Sequence, residues 1–230
     1  MISLNPLNTE RESPEAFWVD EAWEVDGAVS DSTEMRKYDG EAYYCQIINS
    51  NDDTWVLSYG KSIESNDNRV FLFHLNELVL SSTVESPIGA TVTNDGVFCL
   101  ITKSKGKLGG KLSCFSKSGE EILTHTFESN LEALNVDSEG TLLAVTTRPP
   151  DNRLDMFDLE NCKKIVKIEN PVDRVSEITV YRKEHEVVFL VYNETGEPKV
   201  AIDANGDLIW DDRGYVGRQN TILDRLKNLF

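Results

Sequence analysis

The chain is poor in the residues from which metal and redox sites are most often built. It has four cysteines and three histidines among 230 residues. No two cysteines form a C-x-x-C pair, so the ligand spacing of a zinc site is missing. Widely spaced cysteines are typical of small buried side chains in a reducing compartment. They are Cys45, Cys99, Cys114 and Cys162.

Long apolar runs are also missing. No apolar stretch approaches the ~18 residues that a membrane helix needs. Residues 1–6 have neither the basic start nor the apolar region of a signal peptide. We therefore expect a cytoplasmic protein that does not bind membranes.

Basic residues are scarce. The chain has 23 lysines and arginines against 40 acids, which gives a net charge of −17 at pH 7. A surface of this sign repels the phosphates of nucleic acids and of anionic membranes. We therefore expect no nucleic-acid partner. The charge favours a basic partner, or solubility in high salt.

Motifs that identify a reaction are absent. Neither G-x-S-x-G nor H-E-x-x-H occurs, and the Lys- and Gly-rich stretch near residue 106 lacks the P-loop pattern. The three histidines, His74, His125 and His185, fall in different repeats, where they are not expected to converge. No cofactor is expected.

The chain does have an internal repeat of about 43 residues. Residues 84–88 (V-E-S-P-I), followed by a turn at 94–96, are echoed by residues 127–131 (F-E-S-N-L), followed by a turn at 137–140. A period of about 40 to 50 residues, with four short β-runs in each unit, is typical of propeller blades. We predict an all-β propeller of four four-stranded antiparallel blades, at 41–84, 85–127, 128–170 and 171–212.

The four β-runs of each repeat, a to d in chain order, are joined by turns rich in Asn, Asp and Gly. Connections of hairpin length predict an up-and-down order within each blade. Four blades are few, so two arrangements stay open. The ring closes on itself, or it is an open array that is completed by the termini or by a second chain, as in a homo-oligomer.

Residues 201–210 (A-I-D-A-N-G-D-L-I-W) resemble the tryptophan-docking motif of pyrroloquinoline-quinone-like propeller repeats, A-x-D-x-x-x-G-x-x-x-W, with one residue fewer. The resemblance covers one blade of four. It implies that Asp203 braces a turn and that Trp210 packs between blades. The quinone enzymes of that family have many more blades, so the cofactor is not carried over. The period suits WD40-like repeats equally well, but their Gly-His dipeptide is absent and a Trp-Asp dipeptide occurs only once, at residues 210–211.

The two ends of the chain differ from the repeats. Residues 1–35 contain nine acids and one base, together with Phe17, Trp18 and Trp23. They predict an acidic aromatic arm that packs its aromatic rings on the propeller or docks on a basic partner. Residues 216–230 predict a short amphipathic helix, whose apolar face includes Ile222, Leu226 and Phe230. A helix of this length is unstable alone, so it needs its own ring or another protein to bury that face.

Charged residues in the loops give two further candidate sites. The b–c loops emerge on one side of an up-and-down blade, and the second of them collects Lys103, Lys105, Lys107 and Lys111. These lysines would meet an acidic or phosphate-bearing partner, while the acidic a–b and c–d turns emerge on the other side. One carboxylate also begins each d–a crossover, and such carboxylates could surround the axial channel and hold Ca²⁺. These are Glu85, Glu128 and Glu169.

The sequence therefore favours a non-enzymatic propeller that acts as an interaction module, scaffold or assembly subunit. The expected partner is another protein, which binds through the N-terminal arm, the lysine loop and the C-terminal helix. The alternative is a small propeller hydrolase or lyase that uses channel carboxylates, with or without a metal.

Overall fold

The structure is a computed structural model that describes residues 24–38, 40–106, 108–169 and 174–211. Within these ranges, all of the regular secondary structure consists of β-strands. The described part of the chain contains no helix long and apolar enough to cross a membrane. The predicted helix at 216–230 and residues 1–23 of the predicted arm lie outside the described ranges.

The described residues form eighteen strands. They are β1 (Glu24–Val25), β2 (Val29–Tyr38), β3 (Glu41–Asn49), β4 (Trp55–Ser62), β5 (Asn68–His74), β6 (Glu77–Thr83), β7 (Pro87–Val92), β8 (Phe98–Lys103), β9 (Gly110–Phe115), β10 (Glu121–Phe127), β11 (Leu131–Val136), β12 (Leu142–Thr147), β13 (Arg153–Asp158), β14 (Lys163–Glu169), β15 (Val175–Lys183), β16 (Glu186–Asn193), β17 (Pro198–Asp203) and β18 (Leu208–Asp211).

These strands form four antiparallel sheets, which follow the four repeats. Blade 1 contains β2–β6, blade 2 contains β7–β10, and blade 3 contains β11–β14. Blade 4 contains β15–β18 together with β1. Within the repeats, strands that are neighbours in sequence are neighbours in the sheet. The prediction of an all-β fold with four antiparallel propeller blades is confirmed.

The blades are held together by apolar side chains on facing sheets. Between blades 1 and 2, Trp55, Leu57 and Leu72 pack in one cluster with Phe98 and Leu100. The a–b turn of blade 2 also contacts blade 1. Gly96 has a φ of 85°, and a Cβ at this position would lie 2.8 Å from the ring of Trp55. Only glycine therefore allows this turn to approach the tryptophan so closely.

The other two pairs of blades have cores of the same kind. The core between blades 2 and 3 includes Ile101, Leu112, Phe127, Leu131, Leu143 and Phe157. The core between blades 3 and 4 includes Ala144, Leu154, Met156, Val180, Phe189 and Ile202. Burying a side chain of this size contributes roughly 1.5–3 kcal/mol, so the stacking of the blades dominates the stability.

The described blades form a row with two end faces. Inner strands join blade 1 to 2, blade 2 to 3 and blade 3 to 4, and no contact of similar extent between described strands joins blade 4 to blade 1. The face of blade 1 turned away from blade 2 carries its own apolar cluster, and so does the face of blade 4 turned away from blade 3. The two clusters contain Tyr43, Cys45, Ile47 and Phe71 on blade 1, and Val188, Leu190, Tyr192 and Ala201 on blade 4.

The segment before the first repeat runs along the inner edges of three blades. β1 pairs with β15 of blade 4, Gly27 forms an isolated bridge with Asp137 of blade 3, and β2 pairs with β3 of blade 1. The last part of the predicted arm, from Glu24 onward, is therefore built into the sheets. It links the two terminal blades of the row.

Single residues show where the sequence-based expectations hold. Asp203 accepts hydrogen bonds from the backbone N–H groups of Asn205 (2.9 Å) and Asp207 (2.8 Å), so it braces its turn as the resemblance implies. The side chain of Trp210 lies outside the description. Cys45, Cys99 and Cys114 are buried as expected, but Cys162 is exposed because it lies in the c–d turn of blade 3.

The turn between β5 and β6 provides a test of backbone strain. Leu75 and Asn76 both have positive φ, 49° and 69°. This conformation costs a β-carbon-bearing residue about 1–2 kcal/mol, and asparagine tolerates it better than leucine. Leu75 is exposed, so replacing it loses little packing. We expect Leu75→Asn to stabilise the protein by about 0.5–1 kcal/mol in urea unfolding. Leu75→Ala keeps the strain and is the control, and an equal gain in that variant would contradict the explanation.

Candidate functional site

A buried cluster of charges lies where the N-terminal segment crosses blades 3 and 4. The guanidinium of Arg182, on β15, donates to Asp26 (3.0 Å) and to Asp137 (3.3 Å). Both carboxylates are buried, whereas Arg182 is partly exposed. Ser138 also donates its hydroxyl to Asp26. One arginine therefore ties the segment that contains Asp26 to both blades.

Asn135 makes a second connection at this centre. Its side-chain amide donates to the carbonyl oxygens of Ile178 (2.9 Å) and Ala28 (3.3 Å). Its side-chain oxygen accepts from Thr91 Oγ1 at 3.0 Å. These contacts join blades 2, 3 and 4 to the N-terminal segment, because Thr91 lies on β7, Ile178 on β15 and Ala28 just before β2.

The hydrogen bonds of Asp137 indicate what this centre does chemically. Its carboxylate accepts from the backbone N–H groups of Thr141 and Leu142, each at 2.8 Å, and from the Thr141 hydroxyl at 2.7 Å. Burial raises the pKa of Asp137, these hydrogen bonds act against the rise, and the Asp26 carboxylate adds to it. A carboxylate with this many donors is well suited to holding backbone in place.

The carboxylates predicted to surround the channel do not form such a cluster. Glu85, Glu128 and Glu169 are all exposed. Within the described ranges, no three His, Cys, Asp or Glu side chains are grouped so that they could hold a metal ion.

The histidines are placed on separate parts of the array. His74 stacks on Trp55 within blade 1, with 4.4 Å between ring centroids, and His185 is exposed in a turn of blade 4. His125 packs edge-on against Phe127 and Phe157 between blades 2 and 3. Burial lowers the pKa of His125, and the nearby Lys164 adds to this effect. His74 and His125 therefore have packing roles, and the three histidines lie in different blades and do not converge.

The predicted lysine loop connects β8 and β9. Lys103 and Lys105 are exposed, as is the neighbouring Leu108. Lys111 is exposed and pairs weakly with Glu121, at 3.5 Å, while Lys107 lies outside the description. Accessible lysines therefore border an apolar side chain in this loop.

Elsewhere on the b–c side, two basic residues are paired with acids. Arg148 contacts the buried Glu132 at 3.0 Å, and Lys199 contacts Glu197 at 3.0 Å. The b–c loop of blade 1 itself contains Glu64 and Asp67. The b–c side therefore carries charges of both signs and is not the basic surface that the loop sequences indicate.

Exposed apolar side chains reveal a surface that the sequence analysis missed. In the described part of the chain, the large exposed apolar residues all belong to blades 1 and 2 and their loops. They are Met35, Tyr44, Ile63, Leu75, Leu78 and Val79 on blade 1, and Ile88 and Leu108 on blade 2. The described large apolar side chains of blades 3 and 4 are not exposed in this way. The surface of blades 1 and 2 is therefore more apolar than that of blades 3 and 4.

Three of these residues lie together on the sheet of blade 1. Met35 is directly opposite Tyr44, and the backbone N–H of Ile63 donates to the carbonyl oxygen of Ala42, two residues before Tyr44. Directly paired residues of an antiparallel sheet point to the same face. Met35, Tyr44 and Ile63 are 68%, 63% and 58% exposed, and we call them the inner patch.

Two lysines lie within the same face as the inner patch. Lys61, on β4, is paired with Tyr44, and Lys37, on β2, is paired with Ala42. Both are exposed. The inner patch therefore combines apolar contact area with positive charge, in a chain whose net charge is strongly negative. No sequence pattern pointed to the inner patch, because it depends on the register of β2 against β3.

The start of β3, beside the inner patch, is fixed by a buried tyrosine. The hydroxyls of Tyr43 and Ser62 each donate to Glu41 at 2.5 Å. The hydrogen bond from Ser62, followed by that from Tyr43, lowers the pKa of Glu41 to about 2. Burial raises the pKa of Tyr43 to about 12, with the hydrogen bond to Glu41 acting in the same direction.

Several of the residues predicted to bind a partner lie outside the described ranges. They are Phe17, Trp18, Trp23, Ile222, Leu226 and Phe230. Their contribution stays a prediction, as does that of Lys107.

No family model matches the chain, and no curated protein matches it. Among solved structures, it is similar to a "putative 6-phosphogluconolactonase" from Bacteroides uniformis, with 17% identity and a TM-score of 0.40, over 73% of this chain and 56% of that one. It is also similar to the Dos1 propeller, with 9% identity and a TM-score of 0.42, over 79% and 59%. The chain matches less than two thirds of the length of either structure.

The charge cluster at the centre predicts a large effect on stability. Arg182→Gln would leave Asp26 and Asp137 buried without their cation, and we expect the free energy of unfolding to fall by about 3 kcal/mol. The control is Arg174→Gln, because Arg174 and Glu194 form an exposed pair at 3.2 Å. That variant should lose less than about 1 kcal/mol. Equal losses in urea unfolding would show that Arg182 does not brace the centre.

Glu41 predicts a dependence of stability on acid. Its pKa is about 2 in the folded protein, against an ordinary value of 4.5. Its ionised form therefore stabilises the fold above pH 4.5, and this contribution is lost as the pH falls towards 2. We expect the stability difference between wild type and Glu41→Gln to shrink over that range.

The Glu41 carboxyl can also be titrated directly by NMR. Ser62→Ala removes one donor, and it should raise the pKa of Glu41 towards the ordinary value. A pKa near 4 in the wild-type protein would contradict the hydrogen-bonded arrangement.

Proposed function

We propose that this chain is a non-enzymatic propeller interaction module that holds a partner protein on the inner patch of blade 1. The observation that carries the proposal is the inner patch itself. Met35, Tyr44 and Ile63 are well exposed and lie together on a rigid sheet. Grouped apolar residues on a soluble surface, bordered by polar groups, are typical of protein-binding sites.

The chemistry of the inner patch indicates the kind of partner. Tyr44 offers a large ring with few rotatable bonds, which makes it a suitable anchor at an interface. Lys37 and Lys61 would attract carboxylates and orient them around the apolar contact. A segment that presents apolar side chains beside acidic ones would fit this surface.

The lysine loop extends the same side of the array. Ile63 begins the b–c loop of blade 1, and Lys103, Lys105 and Leu108 belong to the b–c loop of blade 2. Both loops emerge on one side in the up-and-down order. An acidic partner that covers the inner patch would therefore have further lysines within the neighbouring blade.

The central charges support a module better than a hydrolase. Asp26 and Asp137 share Arg182, and Asp137 also receives three hydrogen bonds from residues 141 and 142. Carboxylates engaged in this way hold strands together, whereas a general base must reach a substrate proton.

The test compares two sets of serine substitutions on the immobilised chain. Met35→Ser, Tyr44→Ser and Ile63→Ser together remove the apolar part of the inner patch. Leu75→Ser, Leu78→Ser and Val79→Ser together remove an equal number of exposed apolar residues at the outer edge of the same blade, and form the matched control.

We expect proteins retained specifically by the wild-type chain to bind the inner-patch variant at least about tenfold more weakly, and the control variant nearly as well as wild type. Thermal unfolding of both variants checks that the fold is kept. Unchanged binding of the inner-patch variant, or equal loss in both, would overturn the proposal.

A further inference from the structure

The end face of blade 1 carries a cavity that the proposed function does not use. The cavity has a volume of about 340 Å³, and Ile47, Val56, Phe73 and Tyr38 form much of its wall. It lies over the apolar cluster that contains Phe71 and Tyr43. The ring of Tyr38 stacks on Phe71 with 3.9 Å between centroids, so the surroundings of the cavity are aromatic and well packed.

The charges around the cavity are basic. Among the described residues, the charged members of its lining are Arg36 and Lys37, and Arg36 also forms an exposed pair with Glu34 at 3.2 Å. In a chain with 40 acids and 23 bases this is an unusual setting. A volume of this size is at the lower end of the range of about 300–1,000 Å³ in which pockets receive a ligand or a large side chain. Asn49 and Asn76 add polar groups to its wall. The occupant that fits is an aromatic residue flanked by carboxylates.

This chain contains such a segment in residues 1–23. They include five acids and one base, and Phe17, Trp18 and Trp23 lie next to Glu15, Asp20 and Glu21. Residues 212–230 are the other terminal segment outside the described ranges, and they contain four bases and two acids. Charge complementarity with Arg36 therefore favours the N-terminal segment over the C-terminal one.

The path of the chain brings the N-terminal segment close to this face. β1 lies on the inner edge of blade 4, and β2 lies on the inner edge of blade 1. Val25 and Val29 are four residues apart, which is at most about 14 Å. The end faces of the two terminal blades therefore approach each other at their inner edges. Residues 17–23 directly precede β1, and a stretch of seven residues can span about 22 Å.

We propose that residues 15–23 dock in cis into the cavity on the end face of blade 1, with Phe17 or Trp18 in the cavity and the neighbouring carboxylates near Arg36. This inference stands apart from the proposed function, since Met35, Tyr44 and Ile63 do not line the cavity, although Lys37 borders both sites. The segment covers the end of the row with its own aromatic residues.

The test is cross-linking between the segment and the cavity in the full-length chain. Ala16→Cys places a thiol beside the two aromatic residues, and Asn49→Cys places one in the cavity lining. Cys162→Ser removes the exposed native thiol, because the other described cysteines are buried. A short bis-maleimide then links the two positions if they are close.

The matched control pairs Ala16→Cys with Lys117→Cys, an exposed position in a turn of blade 2. A second comparison pairs Asn220→Cys with Asn49→Cys, to test the C-terminal segment in the same cavity. We expect an intrachain product for positions 16 and 49 that forms at least about tenfold faster than for either comparison pair.

Three further variants test the chemistry of the contact. Phe17→Ser with Trp18→Ser should abolish the preference for position 49, because the apolar anchor is lost. Arg36→Glu should slow the cross-link several-fold, and Glu15→Arg with Glu21→Arg should restore it.

Each other outcome overturns the proposal. Cross-linked dimers would mean that the segment docks on a second copy. A faster product from position 220 would assign the cavity to the C-terminal segment, and equal rates at positions 49 and 117 would mean that nothing docks there. The result is independent of the binding test, since the inner-patch variant keeps the cavity and these variants keep the inner patch.

Discussion

A row of sheets can bury an apolar face only against the next sheet, and this constraint governs the whole molecule. Four described blades give three cores between blades and leave two end faces, on blades 1 and 4. The repeat itself accounts for the three cores, because each unit has an apolar surface on both sides of its sheet and neighbouring units pack these surfaces together. The ends have no such partner within the repeat. Residues outside the repeats must therefore cover the two apolar end faces that the repeats leave.

The polar centre shows how a segment outside the repeats can be held. Asp26 belongs to the N-terminal segment, and Arg182 and Asp137 belong to blades 4 and 3. A buried carboxylate is tolerated only when it is paired, so the segment is held in one position through its charge. Apolar packing would bring it close, but the shared guanidinium and the amide of Asn135 specify the register.

The features of the fold that could be predicted from the sequence are those that local patterns determine. The 43-residue period and the Asn-, Asp- and Gly-rich turns were sufficient for four antiparallel blades, and the motif around Asp203 was sufficient for its turn. Long-range pairing was not predictable in the same way. Met35 and Tyr44 become neighbours through the register of β2 on β3, and Ile63 joins them through β4. Likewise, Arg148 looks like a free base in the sequence, because its partner Glu132 lies on another strand.

The pairing of β1 with β15 has a consequence for how the chain reaches its folded state. The hydrogen bond between Asp26 and Arg182 joins residues 156 positions apart. During synthesis, Asp26 is made long before Arg182. The segment that contains Asp26 therefore cannot take its final position until the strands of blade 4 have been made. Closing so long a loop is slow compared with forming hairpins. Residues that are made before the blades are therefore placed after them, and the row of blades acts as the template on which the segment around Asp26 is fitted.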